Sequence, residues 1–147
     1  MEKFMQIALK EAQKALDKDE VPIGAVIVIN GKVFAKAYNT RNSSGIATHH
    51  AEILAIEKAC KKLKDWRLEN AEIYVTLEPC PMCAGAIANA RIKKLIFGAF
   101  DQSGANKNLL NEILSDTRLN HKTEIIGGVL EEKCKQLLTN FFKAKRN

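Results

Sequence analysis

The segment "EIYVTLEPCPMCAGAIANA", residues 72–90, joins two patterns that decide the fold. Its first part, "EIYVTL" (72–77), is rich in β-branched and aromatic residues and predicts a strand. Its second part begins with Pro81, a residue favoured in the first turn of a helix, and continues with small and apolar residues. The sequence therefore predicts a strand that leads into a helix, with Cys80 and Cys83 at the start of that helix.

Strand and helix patterns alternate along the rest of the chain, without a linker, repeat or low-complexity segment. Two apolar runs flank the dipeptide Asn30-Gly31, which is typical of a tight hairpin turn. An opening hairpin followed by alternating strands and helices predicts an α/β fold, with a mixed sheet and helices on both of its faces. The other predicted elements are helices over 2–18, 49–63, 81–90 and 107–115, strands over 93–100 and 122–128, and a final helix from about residue 130.

Length and composition favour one globular domain over residues 1–147. Apolar residues make up 46% of the chain, which is typical of a folded protein. No apolar run is long enough to span a bilayer, and the segment "VPIGAVIVI" (21–29) predicts a buried strand. The N-terminal segment "MEKFMQIALKEAQKAL" has charged residues among its apolar ones and predicts an amphipathic helix rather than a signal peptide. We therefore expect a cytoplasmic protein that does not enter a membrane.

The four cysteines fall into two groups. Cys60 and Cys134 each lie on the apolar face of a predicted helix, so we expect both to be buried thiols. Cys80 and Cys83 are three residues apart, share a helix face and can both point at one ion. A helix N-terminus favours negative charge and lowers the pKa of a thiol. In a reducing compartment such a pair is expected to bind a metal or to perform redox chemistry, rather than to form a structural disulfide.

A third metal ligand is predicted at the start of another helix, where His50 could supply a neutral imidazole. With Cys80 and Cys83 it makes a set of three ligands that suits zinc. Three protein ligands leave a fourth position for water, which is typical of a catalytic zinc rather than a structural one. The chain contains one such set, so we expect one zinc ion per chain. His49 competes with His50 as a ligand, but only His50 stands in the pattern H-x-E.

That pattern, "HAE", adds Glu52 to the predicted site. His50 and Glu52 do not share a helix face, so both reach one site only if the helix points its first turn at it. Glu52 would then lie beside the open coordination position and could move a proton. A redox dithiol would leave "HAE" without a use, and a zinc ribbon would need a second CxxC, which the sequence lacks. The combination therefore favours catalytic zinc.

The motifs "HAE" and "PCPMC" together resemble those of the zinc-dependent nucleobase and nucleoside deaminases. Within that superfamily the chain is similar to the bacterial tRNA adenosine deaminases over almost its whole length. One segment departs from that family: in "QSGANKNLL" (102–110), Asn108 and Leu109 stand where Gly and Ser are expected. The similar segments are "EVPIGAVIV" (20–28), "YNTRN" (38–42), "YVTLEPCPMCAGAI" (74–87), "FGAFD" (97–101) and "LNHKTEIIGGVLEEKCKQLLTNFFKAKR" (119–146).

The resemblance implies a cytidine-deaminase-like fold with three layers, α/β/α, around a mixed five-stranded sheet, and a homodimer. It also implies conversion of adenosine to inosine at the wobble position, in the anticodon arm of an arginine tRNA. His50, Cys80 and Cys83 would hold zinc, which would activate water for attack on C6 of the adenine. Glu52 would protonate the ring nitrogen and then the leaving ammonia.

The resemblance further implies which residues contact the substrate. Asn39 would form a hydrogen bond with the edge of the base, while Val21 and Leu77 would pack around it. Asp101 stands where the family has an acidic residue near the RNA. Two of these residues have an alternative, purely structural interpretation. Asn39 could cap the end of a strand, and Asp101 could be an ordinary turn residue.

The charge distribution suggests where the RNA would lie. The formal net charge is +6, which fits a polyanionic partner. The chain ends in the basic segment "FFKAKRN", and we take Lys143, Lys145 and Arg146 as candidate RNA contacts. Their alternative is a charged, solvated chain end.

Two rival functions remain open from the sequence. A deaminase of free guanine, cytosine or a nucleotide would share the zinc site, but it would not need a basic surface. A zinc-stabilised RNA-binding module would tolerate loss of Glu52, although a structural zinc is expected to have a fourth protein ligand.

Overall fold

A computed structural model of the protein describes residues 1–104, 108–119 and 121–146, with Thr117 described by its backbone alone. The helices are α1 (Glu2–Asp17), α2 (Arg41–Ser44), α3 (Ala51–Leu63), α4 (Pro81–Asn89), α5 (Leu109–Leu114) and α6 (Glu131–Arg146), with a short 3-10 turn at Thr117–Leu119. The strands are β1 (Gly24–Ile29), β2 (Lys32–Tyr38), β3 (Ala71–Leu77), β4 (Lys94–Ala99) and β5 (Glu124–Ile126).

The strands form one mixed sheet in the order β2-β1-β3-β4-β5. β1 runs antiparallel to both β2 and β3, whereas β3, β4 and β5 are parallel to one another. The hairpin between β1 and β2 turns at Asn30 (φ 53°) and Gly31 (φ 74°), and two successive positive φ angles are what a two-residue hairpin of this twist requires. The mixed five-stranded sheet predicted from the sequence is confirmed.

Helices cover both faces of this sheet, because successive strand residues point to opposite sides. On one face α3, α4 and α5 pack against the sheet, and on the other α1 and α6 do so. Gly24 lets α1 approach β1 closely, since a side chain there would collide with the backbone of α1. The three-layer α/β/α fold is thus confirmed. The first face carries Ala25, Ile27, Ile73, Val75, Leu95 and Phe97, and the second carries Val26, Val28, Tyr74 and Ile96.

The antiparallel and parallel pairings bring several loops to one end of the sheet. Gly24, where β1 begins, is paired with Tyr38, where β2 ends. Leu77 and Ala99, where β3 and β4 end, are paired with each other. The loops after β2 and β3 lead into α3 and α4, so both of these helices begin at this end of the sheet. This end therefore holds the candidate site.

The helix predicted over 49–63 begins two residues later, at Ala51. The backbone of His50 is still extended (φ −73°, ψ 155°), and its N–H bonds to the carbonyl of Thr48 at 2.8 Å. That tight turn holds His50 just outside the helix. His50 is therefore the N-cap residue rather than part of the first turn.

The C-terminal third differs from the prediction in its boundaries. The strand predicted over 122–128 is limited to Glu124–Ile126, since Gly128 has a positive φ of 86° and turns the chain away. The helix predicted over 107–115 is present at Leu109–Leu114, and its first predicted residue lies outside the described part of the chain. The short helix α2 was not predicted. Among the described residues, no helix combines the length and the apolar character needed to cross a membrane.

Candidate metal centre and active site

The N-termini of α3 and α4 present two side chains with the same backbone geometry. His50 precedes α3 and Cys80 precedes α4, each with φ −73° and with ψ of 155° and 170°. N-cap side chains usually accept a hydrogen bond from their own helix, but neither of these does so. The imidazole and the thiol can therefore meet between the two helices.

Three donor atoms lie together there. Nδ1 of His50 lies 3.7 Å from Sγ of Cys80 and 3.6 Å from Sγ of Cys83. With a Zn–N distance of about 2.0 Å and a Zn–S distance of about 2.3 Å, tetrahedral coordination separates N from S by about 3.5 Å. The three atoms all lie within 4.8 Å of one another, and His49 is not part of this group. The donor set therefore fits a tetrahedral metal ion.

The electrostatics of the two thiols also favour a cation. Hydrogen bonds from Cys83 and from His50 lower the pKa of the Cys80 thiol to about 4. The hydrogen bond to Cys80, together with burial, raises the pKa of Cys83 far above its usual range. The hydrogen bond with Cys80 likewise raises the pKa of His50. Because adjacent thiolates repel, a bound cation is what allows both to be ionised, and two thiolates with an imidazole suit zinc.

Glu52 lies in the first turn of α3 and is only 4% exposed. Its Oε1 is the one buried side-chain nitrogen or oxygen without a hydrogen-bond partner in the part of the chain that the structure describes. Burial raises the pKa of this carboxyl above its ordinary value. An unpaired buried acceptor is costly, and this one lies beside three potential metal ligands.

A cleft formed by two adjoining recesses, which share Ile23 and His50, lies at this end of the sheet. The first recess, of about 310 Å³, is walled by Asn39 and Arg41. The second, of about 300 Å³, contains Glu52 beside Cys80 and Asp101. Because His50 and Glu52 face the same recess, α3 does point its first turn at the site. Of the other predicted contacts, Val21 lines the first recess and Leu77 lines the second.

Asn39 follows β2 and is buried in the wall of the first recess. Its Nδ2 donates to the carbonyl of Val21 at 3.2 Å, and its Oδ1 accepts from the backbone N–H of Arg41 at 3.1 Å. The side chain thus ties two loops together, as a residue that ends a strand often does. One amide hydrogen is left over for a ligand, so the two roles considered for Asn39 are compatible.

Asp101 lies at the rim of the second recess. Its backbone N–H donates to Oε1 of Glu78 at 2.9 Å, and its own carboxylate accepts from the backbone N–H of Ser103 at 3.1 Å. The second of these bonds is that of an Asx turn. Asp101 therefore shapes the loop after β4 and also faces the cleft.

The basic residues near the C-terminus separate into two environments. Lys143 and Arg146 line a groove of about 630 Å³ that shares Leu77 with the second recess and has a largely apolar floor. Lys145 is directed elsewhere, and its Nζ lies 2.7 Å from Oδ2 of Asp19. All three belong to α6, which continues regularly to Arg146. Two of the three candidate RNA contacts thus face the groove, and the third is paired.

The sequence reasoning missed two residues that shape the cleft. Arg41 lines the first recess, and its position two residues after Asn39 in "YNTRN" was the available signal. Glu20 is 1% exposed and binds the backbone of the loop that carries Arg41. Its signal was weaker, a charged residue directly before the apolar segment "VPIGAVIV".

The family model described as MafB19-like deaminase matches residues 1–146. A tRNA-specific adenosine deaminase of Bacillus subtilis (strain 168) is 52% identical over 145 residues, which cover 99% of this chain and 90% of that protein. A solved structure from work on A-to-I editing by tRNA:A34 deaminases at the wobble position of transfer RNA is 42% identical, with a TM-score of 0.85. The match covers 92% of this chain and 98% of that one. The chain therefore belongs to the MafB19-like deaminases and, within them, to the family of tRNA-specific adenosine deaminases.

The fold extends to more distant proteins. A guanine deaminase from Nitrosomonas europaea has a TM-score of 0.82 but only 20% identity, over 95% of this chain and 83% of that one. At this identity the likeness shows a common fold, and it does not favour guanine as a substrate here.

Proposed function

We propose that this protein converts adenosine to inosine by hydrolysis at the wobble position of a tRNA anticodon, with an arginine tRNA as the expected substrate. The observation that carries the proposal is the buried, unpartnered Oε1 of Glu52 beside His50, Cys80 and Cys83. Near-full-length similarity to tRNA-specific adenosine deaminases supports the choice of substrate.

In this proposal Nδ1 of His50 and the thiolates of Cys80 and Cys83 hold one zinc ion per chain. When bound, zinc supplies Lewis-acid activation of water at neutral pH. Three protein ligands suit a catalytic site, because a structural zinc is usually closed by a fourth. Among the described residues no fourth His, Cys, Asp or Glu joins the group, which argues against a zinc-stabilised module without activity.

Glu52 is assigned the proton transfers. The reaction forms a bond from the water oxygen to C6 of adenine and breaks the bond from C6 to the amino nitrogen, which leaves as ammonia. Oε1 of Glu52 accepts one proton from the water and delivers it to the ring nitrogen, where it stays. The same carboxylate then accepts the second proton of the attacking oxygen and delivers it to the amino group, which leaves as ammonia. Burial raises the pKa of Glu52, so it holds a proton more readily near neutral pH than an exposed glutamate does.

The adenine base would enter the cleft after leaving its stack, which costs least in an unpaired anticodon loop. Val21 and Leu77 offer apolar walls on either side of the cleft. Asn39 has one amide hydrogen left for the edge of the base, because its other polar contacts are to backbone. Asp101 borders the same space and would lie near the RNA.

The RNA backbone is assigned to the groove beside α6. Lys143 and Arg146 border it and would contact phosphates. Lys145, paired with Asp19, is a weaker candidate than the sequence suggested. The homodimer implied by the family resemblance and the cytoplasmic location expected from the sequence remain part of this proposal. Light scattering of the purified protein measures whether it is a dimer.

The decisive experiment compares substrates. Purified enzyme with about one zinc per chain is expected to form inosine in an arginine tRNA anticodon stem-loop, and cellular tRNA should lose inosine when the protein is depleted. Free guanine, cytosine and adenosine are tested in parallel at the same concentration. Turnover of a free base with no inosine in the stem-loop would instead establish a free-base deaminase.

A further inference from the structure

Glu20, in the loop between α1 and β1, is a buried carboxylate with an unusual set of partners. It is 1% exposed. One oxygen accepts the backbone N–H of Asn42 at 3.1 Å, and the other accepts that of Ser43 at 2.5 Å. Among the residues that the structure describes, no lysine or arginine forms an ion pair with it. Its charge is therefore neutralised by the backbone of another loop.

That backbone belongs to α2, a helix of only four residues. A helix this short is not stable by itself in water. Its N-cap residue, Thr40, makes no side-chain bond to the helix. The N–H groups of Asn42 and Ser43 would normally be satisfied by such a cap. Glu20 takes over this function from a distant part of the sequence.

The loop held by Glu20 forms one wall of the cleft. Asn39, Arg41 and Asn42 line the first recess together with His50. A second connection runs in the opposite direction, because Nδ2 of Asn39 donates to the carbonyl of Val21, the residue after Glu20. The two loops are thus joined by reciprocal bonds from one side chain to the backbone of the other.

Arg41 is a basic residue in the wall that this connection holds. It is exposed, and among the described residues it forms no ion pair, so its guanidinium group is available to an anion. It stands at the start of α2, directly before the two residues that Glu20 holds. Losing the bonds from Glu20 would loosen Arg41 and the wall of the recess, although the bonds of Asn39 to Val21 and Arg41 would remain.

We infer that Glu20 is a positioning residue for the substrate, which keeps α2 docked so that the wall formed by Asn39, Arg41 and Asn42 is in place before an RNA nucleotide enters. The inference rests on the proposed function, since it concerns the same cleft. Without this docking, the loop has to be ordered when the substrate binds, and that cost reduces affinity. The reaction step at Glu52 is unaffected.

The test is Glu20→Gln in the full-length zinc enzyme. The amide retains one acceptor oxygen but places an NH₂ group against the other backbone N–H, so one charge-assisted bond is lost. We expect the KM for the anticodon stem-loop to rise about tenfold, in keeping with the weight of such a bond, while kcat stays within about twofold. Hydrogen exchange should become faster at the amides of Asn42 and Ser43, and zinc content should stay the same.

Glu11→Gln is the matched control. Glu11 is also a buried carboxylate, at 3% exposure, but it is paired with Lys14 on α1 and lines neither recess. Its replacement should leave KM and the exchange of Asn42 and Ser43 unchanged. A rise in KM of similar size in Glu11→Gln would mean that any lost buried carboxylate has this effect, and would overturn the inference.

The remaining outcomes also decide the question. Glu20→Gln with unchanged KM and unchanged exchange, or with a fall in kcat alone, refutes a positioning role. If Glu20→Gln does not fold, Glu20→Asp keeps both oxygens on a shorter side chain and should raise KM by a smaller factor, so an unchanged KM there refutes it equally. Failure of the proposed function can be distinguished from failure of this inference. In the first case the parent enzyme forms no inosine, but hydrogen exchange still reports whether Glu20 orders the loop.

Discussion

Glu20 and Glu52 are two buried glutamates near one cleft, and their surroundings are opposite. They are 1% and 4% exposed, respectively. For Glu20, burial favours a higher pKa, but the hydrogen bonds from Ser43 and Asn42 outweigh it and lower the pKa below 4.5. For Glu52, burial raises the pKa and outweighs the opposing effects of a backbone hydrogen bond, the neighbouring His50 and a hydrogen bond with Cys83.

The balance between burial and hydrogen bonding therefore gives two buried glutamates opposite pKa shifts. A carboxylate that accepts two backbone N–H groups stays charged and holds two loops together. A carboxylate whose Oε1 has no partner can take up and release a proton. The first is suited to a fixed structure and the second to a reaction. The following predictions change one side of this contrast or the residues next to it.

The largest effect is expected from Cys83→Ser, because Glu52 has a chemical role only if a metal lies beside it. Serine is a poor zinc ligand at neutral pH, so zinc should fall well below one ion per chain and inosine formation should be lost. The folded state should also be less stable, since metal binding is coupled to folding. Metal analysis and a melting curve measure both.

Cys134→Ser is the control for that experiment. Cys134 is as buried as Cys83, at 1% exposure, but it lies on the other face of the sheet. This variant should keep its zinc and its activity even if it loses some stability. A full complement of zinc in Cys83→Ser would remove Cys83 from the ligand set.

Glu52→Gln should come next in size. The amide fills the same space but cannot carry a proton, and loss of a positioned acid or base typically costs about 10²–10⁴-fold in rate. Zinc content and fold should be retained, which separates this variant from Cys83→Ser. Single-turnover measurements on the anticodon stem-loop give the rate, and a rate within a few-fold of the parent would exclude Glu52 from the proton transfers.

The sequence predicted one side of this contrast and missed the other. The position of Glu52 beside the cysteine pair was predicted because the H-x-E and CxxC patterns are each local in sequence. Each pattern also stands at the start of a helix. Nothing local marks the partners of Glu20, since Asn42 and Ser43 are brought to it by the hairpin that lies between them. Hydrogen bonds from a side chain to a backbone segment that is distant in sequence follow no fixed spacing, so the sequence does not reveal them.

The same distinction applies to the fold. The order of strands and helices was predictable because hydrophobic periodicity and the Asn30-Gly31 turn are short-range signals. The helix α2 was not predictable, because four residues carry no periodicity and two of their N–H groups are bonded to Glu20, which is distant in sequence. The different environments of Lys143 and Lys145 were not predictable either, because the ion pair of Lys145 with Asp19 depends on tertiary structure.

Acidification should weaken the contribution of Glu20 to stability. Its pKa is lowered in the folded protein, so the stabilisation is fully present above the unfolded value of about 4.5 and is lost as the pH falls through the folded pKa. Glu20→Gln should be less stable than the parent at pH 7 by about 1–3 kcal/mol. This difference in the free energy of unfolding should become smaller below about pH 4.5, as measured by urea unfolding. An equal gap at pH 7 and pH 3 would show that the charge on Glu20 is not what binds the loop.

The smallest effect is expected from the basic residues at the end of α6, near the loop that carries Glu20. Stem-loop binding should depend on Lys143 and Arg146 but not on Lys145. Lys143→Gln/Arg146→Gln should weaken stem-loop binding several-fold and reduce the slope of log affinity against log salt by about 1.4, because two phosphate contacts to a single strand are lost. Lys10→Gln/Lys61→Gln removes the same charge from other helices and should leave the slope nearly unchanged.

Lys145→Gln completes that comparison. Lys145 forms an exposed ion pair with Asp19, the residue before Glu20, and such a pair contributes at most about 1 kcal/mol to stability. Its loss should therefore change neither the salt slope nor the KM for the stem-loop by more than about twofold, since the bonds from Glu20 to α2 remain. Fluorescence titration of the stem-loop over a range of salt concentrations measures all three variants. A salt slope that falls as much for Lys145→Gln as for Lys143→Gln/Arg146→Gln would mean that Lys145 leaves Asp19 to bind RNA, and that the end of α6 rearranges when the substrate arrives.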